Sequence, residues 1–201
     1  MATLVLVGRK AGVAAEETKA SLLSAAAKVF ARRGYDAASI SEITSEAGLT
    51  SGAIYAHYAS KAELFVATLR VHMQKDLDLL LGSSDSSQMV EVMAAIGATF
   101  DRPEPTEESL VVAAIIATRR HPEVGALLAE MVAEREEIFA GLIDQGQVSG
   151  VLVGEVSAAS ISRLSLMIAL GSLMAGALDL EPLDHEDWAR LMTRLVGSFR
   201  A

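Results

Sequence analysis

The chain has 201 residues, no cysteine and a formal net charge of −9, which allows one large domain or two small ones and excludes a disulfide framework or a thiolate metal site. A chain of this length buries about 70% of the surface its unfolded form exposes, so it needs no covalent or metal staple. The charge is lopsided: residues 1–75 carry nine Lys and Arg against six Asp and Glu, the remainder eight against 20, which suits a module that can approach phosphate joined to an acidic body that repels it.

The opening Met1-Ala-Thr-Leu-Val-Leu-Val-Gly8 has a short apolar run with no basic residue before it, unlike a secretory signal. Residues 1–17 read as an N-terminal arm; Arg9 and Lys10 make it either a basic arm or a plain tail. Apolar residues then recur at helical spacing almost to the end, and no run alternates as a strand does, so the class is all-α.

The first helix is expected from about Glu17 to Arg33, burying Leu22, Leu23, Ala26, Ala27 and Phe30, with Gly34 as its left-handed terminator. Ser39 caps a second helix and, with Glu42, forms a capping box; this helix ends near Ala47-Gly48. A short third helix follows from Thr50 to about Tyr58, and Ser60 with Glu63 opens a long fourth to about Leu81. Beyond the turn-rich 82–87, helices are expected at about 87–101, 106–120, 122–149, 156–179 and 184–200, punctuated by Pro103, Pro105, Pro122, Gly150, Gly154 and Pro182. The apolar stretch Leu164–Leu178 is shorter than the roughly 20 residues of a membrane span, so a soluble cytoplasmic protein without a membrane partner is expected.

Residues 39–58 place two short helices around Ala47-Gly48-Leu49-Thr50. Gly48 can turn sharply, Leu49 can plug the angle between the helices and Thr50 can cap the second. This is the layout of a helix-turn-helix, whose second helix enters the major groove of DNA with its N-terminal residues at the base edges. Thr50 and Ser51 are small donors there, where backbone amides favour phosphate. Gly52 and Ala53 permit close approach, and Tyr55, His57 and Lys61 extend toward the backbone as phosphate contacts. Singly, each of these has a plainer reading as a surface residue of a helical bundle; together with the turn they indicate DNA binding.

Phe30-Ala-Arg-Arg-Gly-Tyr35, Ile40-Ser-Glu-Ile43, Ala47-Gly-Leu-Thr-Ser-Gly-Ala-Ile-Tyr55 and His57-Tyr-Ala-Ser-Lys-Ala-Glu-Leu-Phe65 resemble the N-terminal signature of the TetR (tetracycline repressor) family. The resemblance covers Thr18 to Phe65. It implies a homodimer on a palindromic double-stranded operator, usually a repressor, released by a small molecule. Carried over by position, the DNA contacts would be Thr50, Ser51, Gly52, Tyr55, His57 and Lys61, with Ser39 at the start of the second helix. Tyr58, Thr44 and Lys19 depart from residues frequent in the family (Phe, Ala and Arg respectively). The implied organisation is a three-helix DNA-binding domain at 18–64 and an effector-binding and dimerisation domain at 65–201, linked by the fourth helix.

After residue 82 the resemblance is architectural only. The eighth helix carries Leu164, Ile168, Gly171 and Ala175, and the ninth Trp188, Leu191 and Leu195; such stripes suit close helix packing and read either as a dimer interface or as intramolecular core. Phe100, Met131, Phe139, Met167 and Met174 are candidate walls of an effector pocket, since Met suits adaptable cavities. Arg119, Arg120, His121, Glu134 and Arg135 are polar candidates that read equally as surface charges. Scarce aromatics favour an aliphatic or acyl effector over a flat cation.

An enzyme is the rival class. A helical di-iron site needs Glu-x-x-His pairs, and none of His57, His72, His121 and His185 follows a Glu at that spacing. No zinc motif, phosphate loop or nucleophile elbow is present, so no catalytic residue, metal or cofactor is expected. A third reading is an interaction module that has lost DNA binding, against which Thr50-Ser-Gly52, Tyr55 and Lys61 stand.

Overall fold

The computed structural model of the chain describes residues 2–103 and 105–201, and the side chains of residues 18–103 and 105–201. Among the described residues it forms nine helices and no strand: α1 (Ala2–Ala37), α2 (Ile40–Ala47), α3 (Ser51–Tyr55), α4 (Lys61–Leu81), α5 (Ser86–Ala98), α6 (Pro105–Arg120), α7 (Pro122–Val148), α8 (Ala158–Ala177) and α9 (His185–Gly197). The Arg9 and Lys10 side chains of the expected arm lie outside the described residues.

Gly34 interrupts α1 at φ 72, ψ 173. That region is open to glycine and strained for any residue with a Cβ, and helical geometry resumes beyond it to Ala37, where the sequence suggested a simple end. No atom lies within 4 Å of a Cβ built there, so backbone conformation rather than space requires the glycine.

Two apolar clusters organise the molecule. In the first, Leu22, Phe30, Ile43, Ile54, Leu64 and Phe65 are fully buried, and the cluster continues without a break into Leu110, Ala117, Val124 and Met131 of α6 and α7. Phe30 and Phe65 meet edge-on at 4.7 Å between ring centres, with Tyr35 5.2 Å from Phe65, a geometry that adds to the burial of each ring. The second cluster joins Leu80, Met89, Val90, Met93, Ile143, Leu152 and Ile161 at the far end. Helix α4 belongs to both, through Leu64, Phe65 and Leu69 in the first and Leu80 in the second. The last residues pair with the loop after α7: Val153 N donates to Phe199 O at 2.8 Å and Ala201 N to Val151 O at 3.1 Å.

Helix α8 is the exception to core burial. It packs on α6 and α7 and is largely apolar, long enough by length and composition to cross a membrane, yet 11% of its most apolar window is buried. The helix is thus longer than the Leu164–Leu178 stretch apparent in the sequence.

Candidate nucleic-acid interface

The turn between α2 and α3 is built by local chemistry. Ser39 sits in extended geometry before α2, and its hydroxyl accepts from Glu42 N at 3.1 Å, satisfying one of the free amides of the first turn. The expected reciprocal half of the capping box is absent: the Glu42 carboxylate accepts from Arg32 at 2.9 Å and Arg33 at 3.2 Å instead. These two guanidiniums, Arg32 first, hold the Glu42 carboxyl below its ordinary range. At the other end Gly48 is left-handed (φ 67, ψ 29), Gly48 N donates to Ser45 O and Leu49 N to Thr44 O at 2.9 Å. This paired arrangement is the Schellman motif, and it turns Leu49 back onto the core.

Beyond the turn, α3 presents its residues outward. Thr50 takes the capping backbone conformation, but its hydroxyl makes no capping bond, contrary to the expectation that the side chain would cap. Thr50, Ser51, Gly52, Tyr55 and His57 are all exposed, Tyr55 by 56%, while Ile54 between them is fully buried. A Cβ on Gly52 would meet nothing closer than Thr50 Oγ1 at 3.9 Å, so internal packing does not explain that glycine. The helix is five residues long, shorter than the sequence suggested, because after Tyr55 the chain continues in turns that bury Tyr58.

Lys61 stands apart from this exposed group. Its ammonium donates to Tyr35 O at 2.8 Å, Ala38 O at 3.1 Å and Asp36 O at 3.5 Å, and lies 4.4 Å from the centre of the Tyr35 ring. An ammonium has three protons, so in this arrangement none is left for a phosphate. Burial lowers its pKa and the Asp36 charge opposes that. Lys61 fastens the start of α4 to the end of α1, where unpaired carbonyls attract a cation.

Asp36, which no sequence motif singled out, joins this end to the rest of the molecule. Its carboxylate pairs with the His121 ring and with Arg120 Nη1 at 2.9 Å, at the junction of α6 and α7. His121 also lies edge-on to Tyr35 at 4.9 Å. The hydrogen bonds from His121 and then Arg120 hold the Asp36 carboxyl below its ordinary range. Its partners are 84 and 85 residues away, so no local pattern could have shown them.

A cavity of about 400 Å³ lies between α4, α5, α7, α8 and α9. Of the expected walls, Phe100 and Phe139 line it. Met131 belongs to the first core cluster, and Met167 is 61% exposed on the opposite side of α8. Met174 is partly buried and is not among the lining residues. Bulky apolar residues occur on both sides of α8, so spacing alone does not say which side faces inward. The inward set is Ser162, Ser165, Leu166, Ala169, Ser172 and Leu173. Met73, Met93 and Met192 supply the flexible walls instead, and of the polar candidates Arg135 lines the cavity.

The expected interface residues divide. Leu164, Ile168 and Leu195 touch the cavity, and Trp188 Nε1 donates to Gly97 O at 3.0 Å within the protomer. Ala175 is partly buried. Gly171 and Leu191 are exposed, and with Leu164, Met167 and Leu178 they leave an uncovered apolar strip on α8 and α9.

Residues 22–68 match the family described as "Bacterial regulatory proteins, tetR family". The chain is 28% identical over 205 residues to the transcriptional repressor BepR of Brucella suis, covering 96% of this chain and 97% of that one. Its fold resembles GusR of Salmonella enterica with a TM-score of 0.72 at 19% identity, over 90% and 94% of the two chains. It also resembles FadR of Bacillus subtilis, solved with stearoyl-CoA, with a TM-score of 0.67 at 15% identity over 89% and 97%.

Proposed function

We propose that this chain, whose residues 22–68 match the TetR family of bacterial transcriptional regulators and which is similar along its length to the repressor BepR, is a regulator of that family that binds a palindromic operator as a homodimer, represses transcription and is released by a small apolar effector. The observation that carries this reading is the exposed set Thr50, Ser51, Gly52, Tyr55 and His57 behind a locked turn, for which packing gives no reason. In the complex, α3 lies in the major groove, Thr50 and Ser51 face base edges or phosphates, Gly52 permits close approach, and Tyr55 and His57 touch the backbone. Ser39 supports the interface from the start of α2, and Lys61 acts by holding α4 in place.

The uncovered strip on α8 and α9 supports homodimerisation, since a long apolar face in water calls for a partner. Pairing there would set two α3 helices about 34–36 Å apart, one turn of DNA. The cavity is the effector site, and the stearoyl-CoA in FadR supports ligand binding by this fold. The protein acts in the cytoplasm, as a regulator rather than an enzyme.

Selection from a random duplex pool, followed by salt titration of the enriched sequence, tests this. Enrichment of a palindrome, bound two chains to a site with affinity falling steeply in salt, is expected. Weak binding without enrichment, from protein stripped of ligand, would overturn the reading.

A further inference from the structure

Resting on the reading of the cavity as the effector site, we propose that the effector is a compact lipophilic carboxylate whose anionic group is held by Arg135. Helix α7 carries Arg135 one turn before Phe139, so both side chains share a face, and both line the cavity. The surrounding wall is apolar: Leu80, Met93, Phe100, Leu173 and Met192. A guanidinium offers five N–H donors. The hydrogen bond made by Arg135 among the described residues goes to the Met73 carbonyl, and no carboxylate oxygen of those residues lies within 4.0 Å of it. A partly buried guanidinium with most of its donors uncommitted among the described residues is matched by a carboxylate, which accepts two parallel N–H bonds.

The other charges lining the cavity do not offer the same anchor. Glu107 is an acid and offers no donor to an anion, and Glu136, also an acid, is taken by Arg163, with Nη2 at 2.6 Å. Arg102 lies 3.5 Å from Asp101, and Lys75 is exposed. Burial pushes the His72 ring toward neutrality and raises the Asp76 carboxyl above its ordinary range, the latter against the pull of Arg135. Asp76 and Asp78 act on Arg135 in turn, but burial favours the protonated, neutral form of Asp76, which weakens its hold on a cation and its repulsion of an anion. At about 400 Å³ the cavity is near the small end of the roughly 300–1,000 Å³ common for ligand sites, which favours a short chain or compact ring.

Binding also has a route to the DNA end. The Met73 carbonyl that Arg135 holds belongs to α4, the helix fastened at its first residue to α1. A carboxylate that draws Arg135 away loosens one tie between α7 and α4, leaving the exposed Arg70–Glu134 pair at 2.6 Å as another. An effector shifts this equilibrium only by binding the loosened state more tightly.

Octanoate, octanol and octylamine, added to the full chain, are the probes. Trp188 is the single tryptophan and is bonded to Gly97 at the cavity wall, so its fluorescence reports occupancy, with calorimetry for affinity. Octanoate is expected to bind at least tenfold more tightly than the alcohol or the amine. Arg135→Gln should abolish that preference while leaving octanol affinity unchanged, and Arg135→Lys should retain part of it. Equal affinities, tighter binding of the amine, or no binding of octanoate would overturn the proposal. Should Arg135→Gln fail to fold, the wild-type series still decides. Operator release is measured separately: octanoate binding without release would defeat the regulatory reading and leave the ligand assignment standing, whereas operator binding by a chain indifferent to octanoate would do the reverse.

Discussion

Glycine in a helix raises the conformational entropy lost on folding, so its retention needs a reason. At Gly52 no neighbour supplies one, since the nearest atom to a methyl placed there would be Thr50 Oγ1 at 3.9 Å. Gly52→Ala is therefore expected to raise stability by about 0.5–1 kcal/mol in urea unfolding and to weaken operator binding tenfold or more. Higher stability with undiminished affinity would show that α3 does not approach DNA at this point. Lys61→Met should do the opposite in kind, removing charged hydrogen bonds at a cost of about 1–2 kcal/mol. The slope of operator affinity against salt should stay as in the parent chain, whereas loss of a direct phosphate contact would lower that slope by about one. The turn at Gly48 was legible because its chemistry is local. The role of Lys61 was not, because its carbonyl partners lie 23 and 26 residues back and become neighbours only when α1 and α4 pack.

Helices announce themselves by caps and period, and the expected elements from the fourth to the ninth lie close to where the sequence put them. What period cannot do is orient a helix whose faces are alike. On α8 the inward side holds Leu166 and Leu173 while Met167, and Leu178 just past the helix end, are exposed, so residue type does not separate cavity from surface. Contacts between element ends were equally hidden. The tie from the end of α1 to the α6–α7 junction depends on the Asp36 carboxylate, whose pKa is lowered by His121 and Arg120. A depressed carboxyl contributes stability above its unfolded pKa, near 4, and that contribution is lost as pH falls through the lower folded value. His121, Arg120, Lys61 and Glu123 share the neighbourhood. The melting temperature of Asp36→Asn is expected to lie below the parent's at neutral pH and to converge with it in acid. Parallel curves over the whole range would show that the carboxylate does not carry the tie.

Across the whole molecule, the first core cluster spans residue 64, where the resemblance implied a division between domains, and joins residues of α1 to α4 with α6 and α7. A change in the cavity therefore need not cross a flexible linker to reach α3; it acts on a helix embedded in both clusters. Dimerisation is testable without disturbing that body. Gly171 is exposed and a Cβ there meets nothing within 4 Å, so Gly171→Glu leaves the protomer's packing intact while placing a charge on the apolar strip. Light scattering should show a folded monomer with operator affinity reduced at least tenfold; a dimer of parental affinity would move the interface elsewhere.

The uncovered face of α8 has a further consequence for the cell. If protomers pair through that face as proposed, a newly made chain carries it into water until it meets another, and the unpaired fraction rises as expression falls. By mass action the melting temperature climbs with protein concentration, and at the few copies per cell typical of scarce proteins the unpaired chains are those a protease finds first. On the proposed reading, abundance would then set lifetime as well as occupancy: below a threshold of synthesis the chain would be removed faster than it could pair, and repression would lift with no effector present.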